Sequence, residues 1–241
     1  MDGKVFNRVE KKYLITNSEK KKLMSLIKKH MKPDKYYESL VYNIYFDNDS
    51  FDFINQSIDW TDFKEKVRAR SYGGYDRVFL EIKTKIRSKE NNIGYKRRVM
   101  ITHSDFKKLI KKKATVEELS RQVIETGNDI QIAKEVDYLI NYFDLSPKIL
   151  VIYNRTSYKG ENDLRVTFDE NLKYRDHNLE LKSKKNDKIY FKDDRNIIME
   201  IKAGGALPLW LVKKLSEMKI YPQRFSKIGK IYQKIRKEQN V

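Results

Sequence analysis

The 241-residue chain contains no cysteine, which removes disulfides, thiolate metal sites and a cysteine nucleophile together. Its three histidines, His30, His103 and His177, lie far apart in sequence, which argues against a multi-histidine metal site. Four prolines and nine glycines are too few for long flexible linkers, so most of the chain is expected to be ordered. Long apolar runs are missing as well. The strongest, Ile149–Tyr153 and Leu207–Val212, fall far short of the ~18 residues of a membrane-spanning helix. The opening residues MDGKVFNRVEKKY lack the apolar stretch of an export signal, so a soluble, cytoplasmic protein is expected. What the chain has in excess is positive charge. Lys and Arg number 52 against 34 Asp and Glu, a formal charge of +18. That surplus implies a polyanionic partner: nucleic acid, anionic lipid, or phosphates in some other form. With 39% hydrophobic residues the chain can build a core, and one domain over residues 1–241 is the economical reading.

The period of the apolar residues changes along the chain from two to about 3.6 and back. Phe6–Ile15 alternates and reads as a strand. Thr16-Asn17-Ser18-Glu19 is a helix start signal, and the apolar residues from Leu23 to Met31 fall at helical spacing until Pro33 stops the helix. Ser39–Asp47 reads as a strand, with a short helix near Phe51–Ser57. Three strands follow, Phe63–Tyr72, Arg77–Arg87 and Ile93–Ile101, the first two joined by a hairpin turn at Gly73-Gly74 and the last two by the loop around Ser88–Asn92. A helical insertion occupies about 103–146, with helices at Ser104–Lys113, Val116–Thr126 and Ile130–Phe143. Strand signals resume at Lys148–Tyr158, Leu164–Phe168, Leu172–Lys182 and Arg195–Lys202. Helices then run from Pro208 to about Met218 and over about 225–238. No βαβ rhythm appears, so an α+β fold with antiparallel strands is expected.

Residues two apart on a strand share a face. Lys64, Lys66, Arg68 and Arg70 therefore share one face, opposite Val67 and Ala69. Glu81, Lys83 and Lys85 share one on the next strand, and Lys96 and Arg98 on the third. Arg8, Glu10 and Lys12 do so at the start of the chain. Arg165, Thr167 and Asp169 repeat the pattern later, as do Glu180 with Lys182 and Glu200 with Lys202. A wet antiparallel face looks like this for any single strand. An ordinary wet face, however, mixes Thr, Ser, Gln and both charge signs, whereas these are read as mostly Lys and Arg with isolated Glu. If the sheet closes, the charged faces point into a shared lumen. Two like charges ~4 Å apart cost about 4 kcal/mol at an effective dielectric near 20, so such a lumen needs acids or a compact polyanion to offset it.

At these residues the chain resembles a known family. Val67-Arg68-Ala69-Arg70-Ser71-Tyr72-Gly73, Leu80-Glu81-Ile82-Lys83 and Lys96-Arg97-Arg98 look like the catalytic domain of the vacuolar transporter chaperone (VTC) family. Asn154-Arg155-Thr156, Leu164-Arg165-Val166-Thr167-Phe168-Asp169, Met199-Glu200-Ile201-Lys202 and Phe225-Ser226-Lys227 follow in the family's order. The resemblance runs from about Phe6 to Ile231. The family belongs to the triphosphate tunnel metalloenzymes, the CYTH-like superfamily, and the resemblance implies a closed antiparallel β-barrel of about eight strands with flanking helices. Its basic tunnel binds triphosphate with a divalent metal, and the eukaryotic members polymerise inorganic polyphosphate from ATP.

The resemblance implies roles position by position. Lys12 matches a basic residue of the first strand near the transferred phosphate. Arg68, Arg70, Lys83 and Lys96 match phosphate ligands of the tunnel, and Arg155 and Arg165 match arginines on later strands. Glu200 matches the carboxylate that holds the metal, Mn²⁺ or Mg²⁺. Lys227 matches a lysine that closes on the phosphates, and Arg98, Lys202 and Arg224 sit where the family tends to be basic. Glu10 and Glu81 read as charge-balancing residues. Arg8 stands where the wider superfamily has an acid, which weakens the case for two-metal hydrolysis. The implied activity is that of a metal-dependent phosphotransferase, a polyphosphate polymerase with ATP and polyphosphate as partners and no nucleic acid. The alternatives are a triphosphate hydrolase of the same fold, or a non-catalytic binder of polyphosphate or nucleic acid.

Overall fold

The computed structural model describes residues 9–59, 61–73, 76–87, 92–121 and 127–239. Arg8, Gly74, the Ser88–Asn91 part of the predicted loop and the 122–126 end of the predicted Val116–Thr126 helix lie outside the described residues. The strands are β1 (Val9–Ile15), β2 (Lys32–Asp47), β3 (Phe63–Tyr72), β4 (Val78–Arg87), β5 (Asn92–Ile101), β6 (Ser146–Lys159), β7 (Arg165–Arg175), β8 (Lys188–Ile189) and β9 (Ile197–Ala203). The helices are α1 (Asn17–His30), α2 (Asp52–Ile58), α3 (His103–Ile110), α4 (Val116–Ser120), α5 (Gly127–Tyr142), α6 (Leu209–Glu217) and α7 (Lys227–Gln239). Backbone pairing orders the strands β1-β9-β7-β6-β2-β3-β4-β5, with β8 on β7. The fold is thus α+β, as expected, with nine strands among the described residues. The expected closure into a barrel is not among the described pairings, whose order begins at β1 and ends at β5.

The chain divides into two compact units, each assembled from separate stretches. The first takes the described residues of Met1–Leu40, with Tyr153–Lys173 and Ile189–Phe225. Antiparallel pairing sets Tyr13 opposite Met199 and Phe168 opposite Met199 on the other side, so β9 lies between β1 and β7. The apolar parity of these strands meets Leu23 and Ile27 of α1 and Leu211 and Leu215 of α6 in one core. Each such side chain taken fully out of water contributes roughly 1.5–3 kcal/mol. α1 starts where the sequence signals it. The Thr16 hydroxyl accepts from Glu19 N–H, and Glu19 carboxylate accepts from Thr16 N–H, a reciprocal capping box. Pro33 does end the helical run, but the chain enters β2 at once, seven residues before the predicted start at Ser39.

The second unit takes Val41–Ile152, Tyr174–Lys188 and the described residues of Ser226–Val241. Here β3 pairs β2 on one side and β4 on the other, and β4 pairs β5. Val67, Ala69, Leu80, Ile82, Val99 and Ile101 are buried on one face, together with Val116, Ala133 and Val136 of the helical insertion. Gly229 of α7 sits at a close approach, where a Cβ would stand 3.2 Å from Ile58 Cγ1 of α2 and Ile58 would have to shift slightly.

One predicted strand is corrected. Leu172–Lys182 does not form a strand of its own: β7 runs through to Arg175, and residues 176–187 form turns. Arg175 is the cause. Its fully buried guanidinium pairs with Asp187 at 2.5 Å and donates to the backbone carbonyls of Glu180 and Lys182, wrapping the segment around itself. Glu180 and Lys182 therefore form a local ion pair at 2.7 Å on that loop, with Lys184 as a second partner of Glu180, rather than part of a strand face.

Candidate functional site

In the second unit the charged parity of β3, β4 and β5 converges on Glu81. Register places Arg68 opposite Glu81 and Glu81 opposite Arg98. The Glu81 carboxylate is 1% exposed and is reached by Arg68 at 2.7 Å, Lys96 at 2.6 Å and Arg70 at 4.0 Å. Burial alone would push its carboxyl up, but the charges of Arg68, Arg70 and Lys96 outweigh burial and hold it at about 2. Lys96 is lowered from the ordinary lysine range, first by its own desolvation and then by Arg70 and Arg68, with Glu81 opposing. The carboxylate and the ammonium therefore both move down. Desolvation of Lys96 is the largest cause on its side, and the two arginines that share Glu81 add to it.

Strand β2 fixes the arginines. Asn43 is fully buried, accepts from Arg70 Nε at 2.8 Å and donates to the Val151 carbonyl at 3.3 Å. Tyr45 accepts from Arg68 Nη1 at 3.3 Å and lays its ring under the guanidinium at 5.9 Å. Lys83 stands in register between Lys66 and Lys96. Arg98 is exposed and lies over Phe79 at 4.7 Å. Lys227 is the first residue of α7. Ser226 precedes it, its hydroxyl accepting from Gly229 N–H and from Lys66 Nζ, each at 3.3 Å, which fixes the helix start against β3. Among the described residues of β3, β4 and β5, Lys66, Arg68, Arg70, Lys83, Lys96 and Arg98 thus share one face with a single acid, Glu81. This is the cationic surplus expected.

In the first unit the expectation of mostly cationic faces is corrected. Lys12 pairs in register with Glu200, and Glu10 with Lys202; Arg165 pairs with Lys202 on the other side. Lys12 Nζ lies 3.3 Å from Glu10 and donates to the Phe225 carbonyl at 3.4 Å. Lys202 Nζ lies 2.9 Å from Glu200 and 3.5 Å from Glu10. Arg155 grips Asp169 through two bonds of 2.6 and 2.7 Å, and Asp169 is fully buried. Burial would pull the Arg155 guanidinium down; Tyr153, Asp169 and Glu200 outweigh it and hold Arg155 well above the usual arginine value. Arg165 contacts Asp34 at 3.1 Å and donates to Ser157 at 3.0 Å. Each of these four cations therefore meets an acid. Period-two counting placed Glu10, Glu200 and Asp169 on these faces but not Asp34, which lies on the part of β2 ahead of the predicted start at Ser39.

The supports that sequence reasoning missed are Asn43, Tyr45, Asp34 and Ser157. Asn43 and Tyr45 do carry a signal, since they sit at period two in Asn43-Ile44-Tyr45 on a recognised strand. Arg224, also expected to be basic in the family, is exposed just before α7.

Among the described residues no three His, Cys, Asp or Glu side chains cluster as metal ligands. Glu10 and Glu200 nevertheless converge on one cation, the Lys202 ammonium. Two hard carboxylates fit Mg²⁺ or Mn²⁺ of the kind that takes one or two protein carboxylates and fills its remaining positions with water and phosphate oxygens.

Fold and faces together define an α+β protein whose antiparallel strands carry arginine and lysine at alternate positions. The chain belongs to the VTC domain family, whose model matches residues 7–235. It is 26% identical over 187 residues to vacuolar transporter chaperone complex subunit 4 of Schizosaccharomyces pombe, a match covering 69% of this chain and 26% of that protein. The chain thus spans about a quarter of the length of that relative. A solved structure of the putative adenylyl cyclase HpAC1 from Hippeastrum, described as having a dominant triphosphatase activity, matches with a TM-score of 0.51 at 12% identity. That match covers 92% of this chain and 93% of the other, and shows a shared fold. The PH1819 protein of Pyrococcus horikoshii OT3 matches with a TM-score of 0.48 at 17% identity, covering 95% and 99%.

Proposed function

We propose that this chain is a polyphosphate polymerase, a metal-dependent phosphotransferase that passes the terminal phosphoryl group of ATP to a growing polyphosphate chain in the cytoplasm. The observation that carries the reading is the cluster of Arg68, Arg70 and Lys96 around one buried acid, on a face where cations outnumber acids. Membership of the VTC domain family and the likeness to a VTC complex subunit support it.

Phosphoryl transfer asks the protein for position and charge rather than a covalent nucleophile, which suits a chain without cysteine. In this reading Arg68 and Arg70 bind phosphoryl oxygens, Arg through its planar fork. Asn43 and Tyr45 hold those forks in place before substrate arrives. Lys83, Lys96 and Arg98 neutralise the neighbouring phosphates, and Lys227 approaches from the start of α7. Lys12, Arg155, Arg165 and Lys202 serve the phosphates on the first unit's strands, and closure of the sheet into a tunnel belongs to this proposal. Glu200, with Glu10, would hold the metal, which when bound withdraws charge from the phosphoryl oxygens. A terminal oxygen of the polyphosphate chain attacks the γ-phosphorus in line. The new P–O bond forms as the bond from that phosphorus to the β,γ-bridging oxygen breaks, and ADP departs with the electron pair.

A hydrolase using water as nucleophile is the second reading, favoured by the triphosphatase described for the Hippeastrum protein of similar fold. Incubation of purified protein with ATP and Mn²⁺ or Mg²⁺, with products resolved on a gel, separates the two. A ladder of acid-labile polymer supports the polymerase; orthophosphate without polymer replaces it with the hydrolase. Glu200→Gln should lose metal-dependent turnover and keep its affinity for phosphates.

A further inference from the structure

Helix α7 carries a charge pattern that continues past Lys227, the one residue of it that the phosphate-transfer reading uses. Lys227, Lys230, Lys234 and Lys237 recur at spacings of three, four and three, so they fall on one stripe of the helix. Ten residues at ~1.5 Å rise make that stripe roughly 15 Å long. The opposite side is anchored by buried Ile228, Ile231, Tyr232 and Ile235, which fixes the orientation of the lysines. Lys230 and Lys237 are exposed.

A second element reinforces the stripe at its middle. Lys188 of β8 and Lys234 of α7 both direct their ammonium groups to the ring of Tyr174, at 5.8 and 5.7 Å from its centroid. Tyr174 is 1% exposed, and its hydroxyl donates to Glu238, at 3.2 and 3.3 Å from the two oxygens. Glu238 also pairs with Lys188 at 3.2 Å. A buried ring and one carboxylate therefore engage the Lys188 and Lys234 ammonium groups at the surface. Four lysines along α7 with Lys188 beside them present an extended row of positive charge that suits a polyanion.

We infer that the Lys227–Lys237 stripe of α7, with Lys188, is a track for an extended polyphosphate chain. The inference rests on the polyphosphate reading and adds where the chain runs beyond Lys227. A bare phosphate chain suits the stripe better than single-stranded nucleic acid. Base binding needs accessible ring faces, and the rings beside the stripe, Tyr174 and Tyr232, are buried. A chain with one charge per phosphate meets successive ammonium groups and asks for no stacking surface.

The test compares long-chain polyphosphate with tripolyphosphate in binding titrations on the whole chain across a sodium chloride series. The triple variant Lys230→Gln, Lys234→Gln, Lys237→Gln should bind long-chain polyphosphate roughly tenfold more weakly, and flatten its log–log salt dependence by about 2. Its affinity for tripolyphosphate and its melting temperature should stay at wild-type values, and the matching triple Arg variant should restore long-chain binding. Unchanged long-chain affinity overturns the track, and so does an equal loss for both ligands. Displacement of bound polyphosphate by a single-stranded oligonucleotide of equal charge and concentration overturns the choice of occupant. If the wild type makes no polymer from ATP yet shows the difference between long and short chains, the polymerase reading fails and the track stands. Polymer synthesis without that difference has the reverse meaning.

Discussion

Replacing Glu81 by Gln removes the acid that Arg68, Arg70 and Lys96 share. The Glu81 carboxyl lies at about 2 in the folded protein, against 4.5 for an ordinary glutamate. A gap of about 2.5 pH units, at about 1.4 kcal/mol each, corresponds to about 3 kcal/mol of stability held by the ionised form. Because the folded value is depressed, that contribution is fully present above pH 4.5 and is lost as pH falls toward 2. Urea denaturation of wild type and Glu81→Gln at pH 7, 4 and 2 reads the difference directly. The wild type should exceed the variant by about 3 kcal/mol or more at pH 7, and the gap should close by about 3 kcal/mol by pH 2. Comparing the two proteins cancels the other carboxylates. Phosphate or tripolyphosphate should stabilise the variant more than the wild type, since a bound anion replaces the lost charge. A variant as stable as wild type at pH 7, or a gap that does not narrow in acid, refutes the reasoning.

Arg155→Met leaves the fully buried Asp169 without its two-bond partner and should cost about 3–5 kcal/mol, read as a fall in the denaturation midpoint. Asn43→Leu removes the acceptor of Arg70 Nε and should cost roughly 1.5–3 kcal/mol. The freed guanidinium should also weaken tripolyphosphate binding in a titration. Thr16→Ala breaks the capping box of α1 and should cost about 1 kcal/mol in thermal unfolding while leaving phosphate binding unchanged.

Much of this architecture was legible because each strand carries its own parity. Leu80-Glu81-Ile82-Lys83 states which residues face the core and which face the charges, and the register of β3, β4 and β5 then needs only tight connections. The start of α1 was legible for a similar reason, since a capping box uses residues three apart. What failed needed long-range partners. The Leu172–Lys182 alternation looks like a strand, but Arg175 and Asp187 overrode it through a buried ion pair that no local pattern announces. One acid of the first unit, Asp34, was hidden in the same way. Asp34 meets Arg165 from a different strand, and a sum over the whole chain gives only +18. Asn43 and Tyr45 were within reach of period-two reading, yet their polar atoms become meaningful only beside Arg70 and Arg68.

In the proposed function the cationic strand faces hold a chain of phosphates, and titration calorimetry and thermal melting with tripolyphosphate at low salt read this out. The wild type should bind saturably and gain about 2.7 kcal/mol at a hundredfold excess over Kd, with most of both lost in Arg68→Ala. Absence of heat and of any melting shift in the wild type at low salt would contradict it.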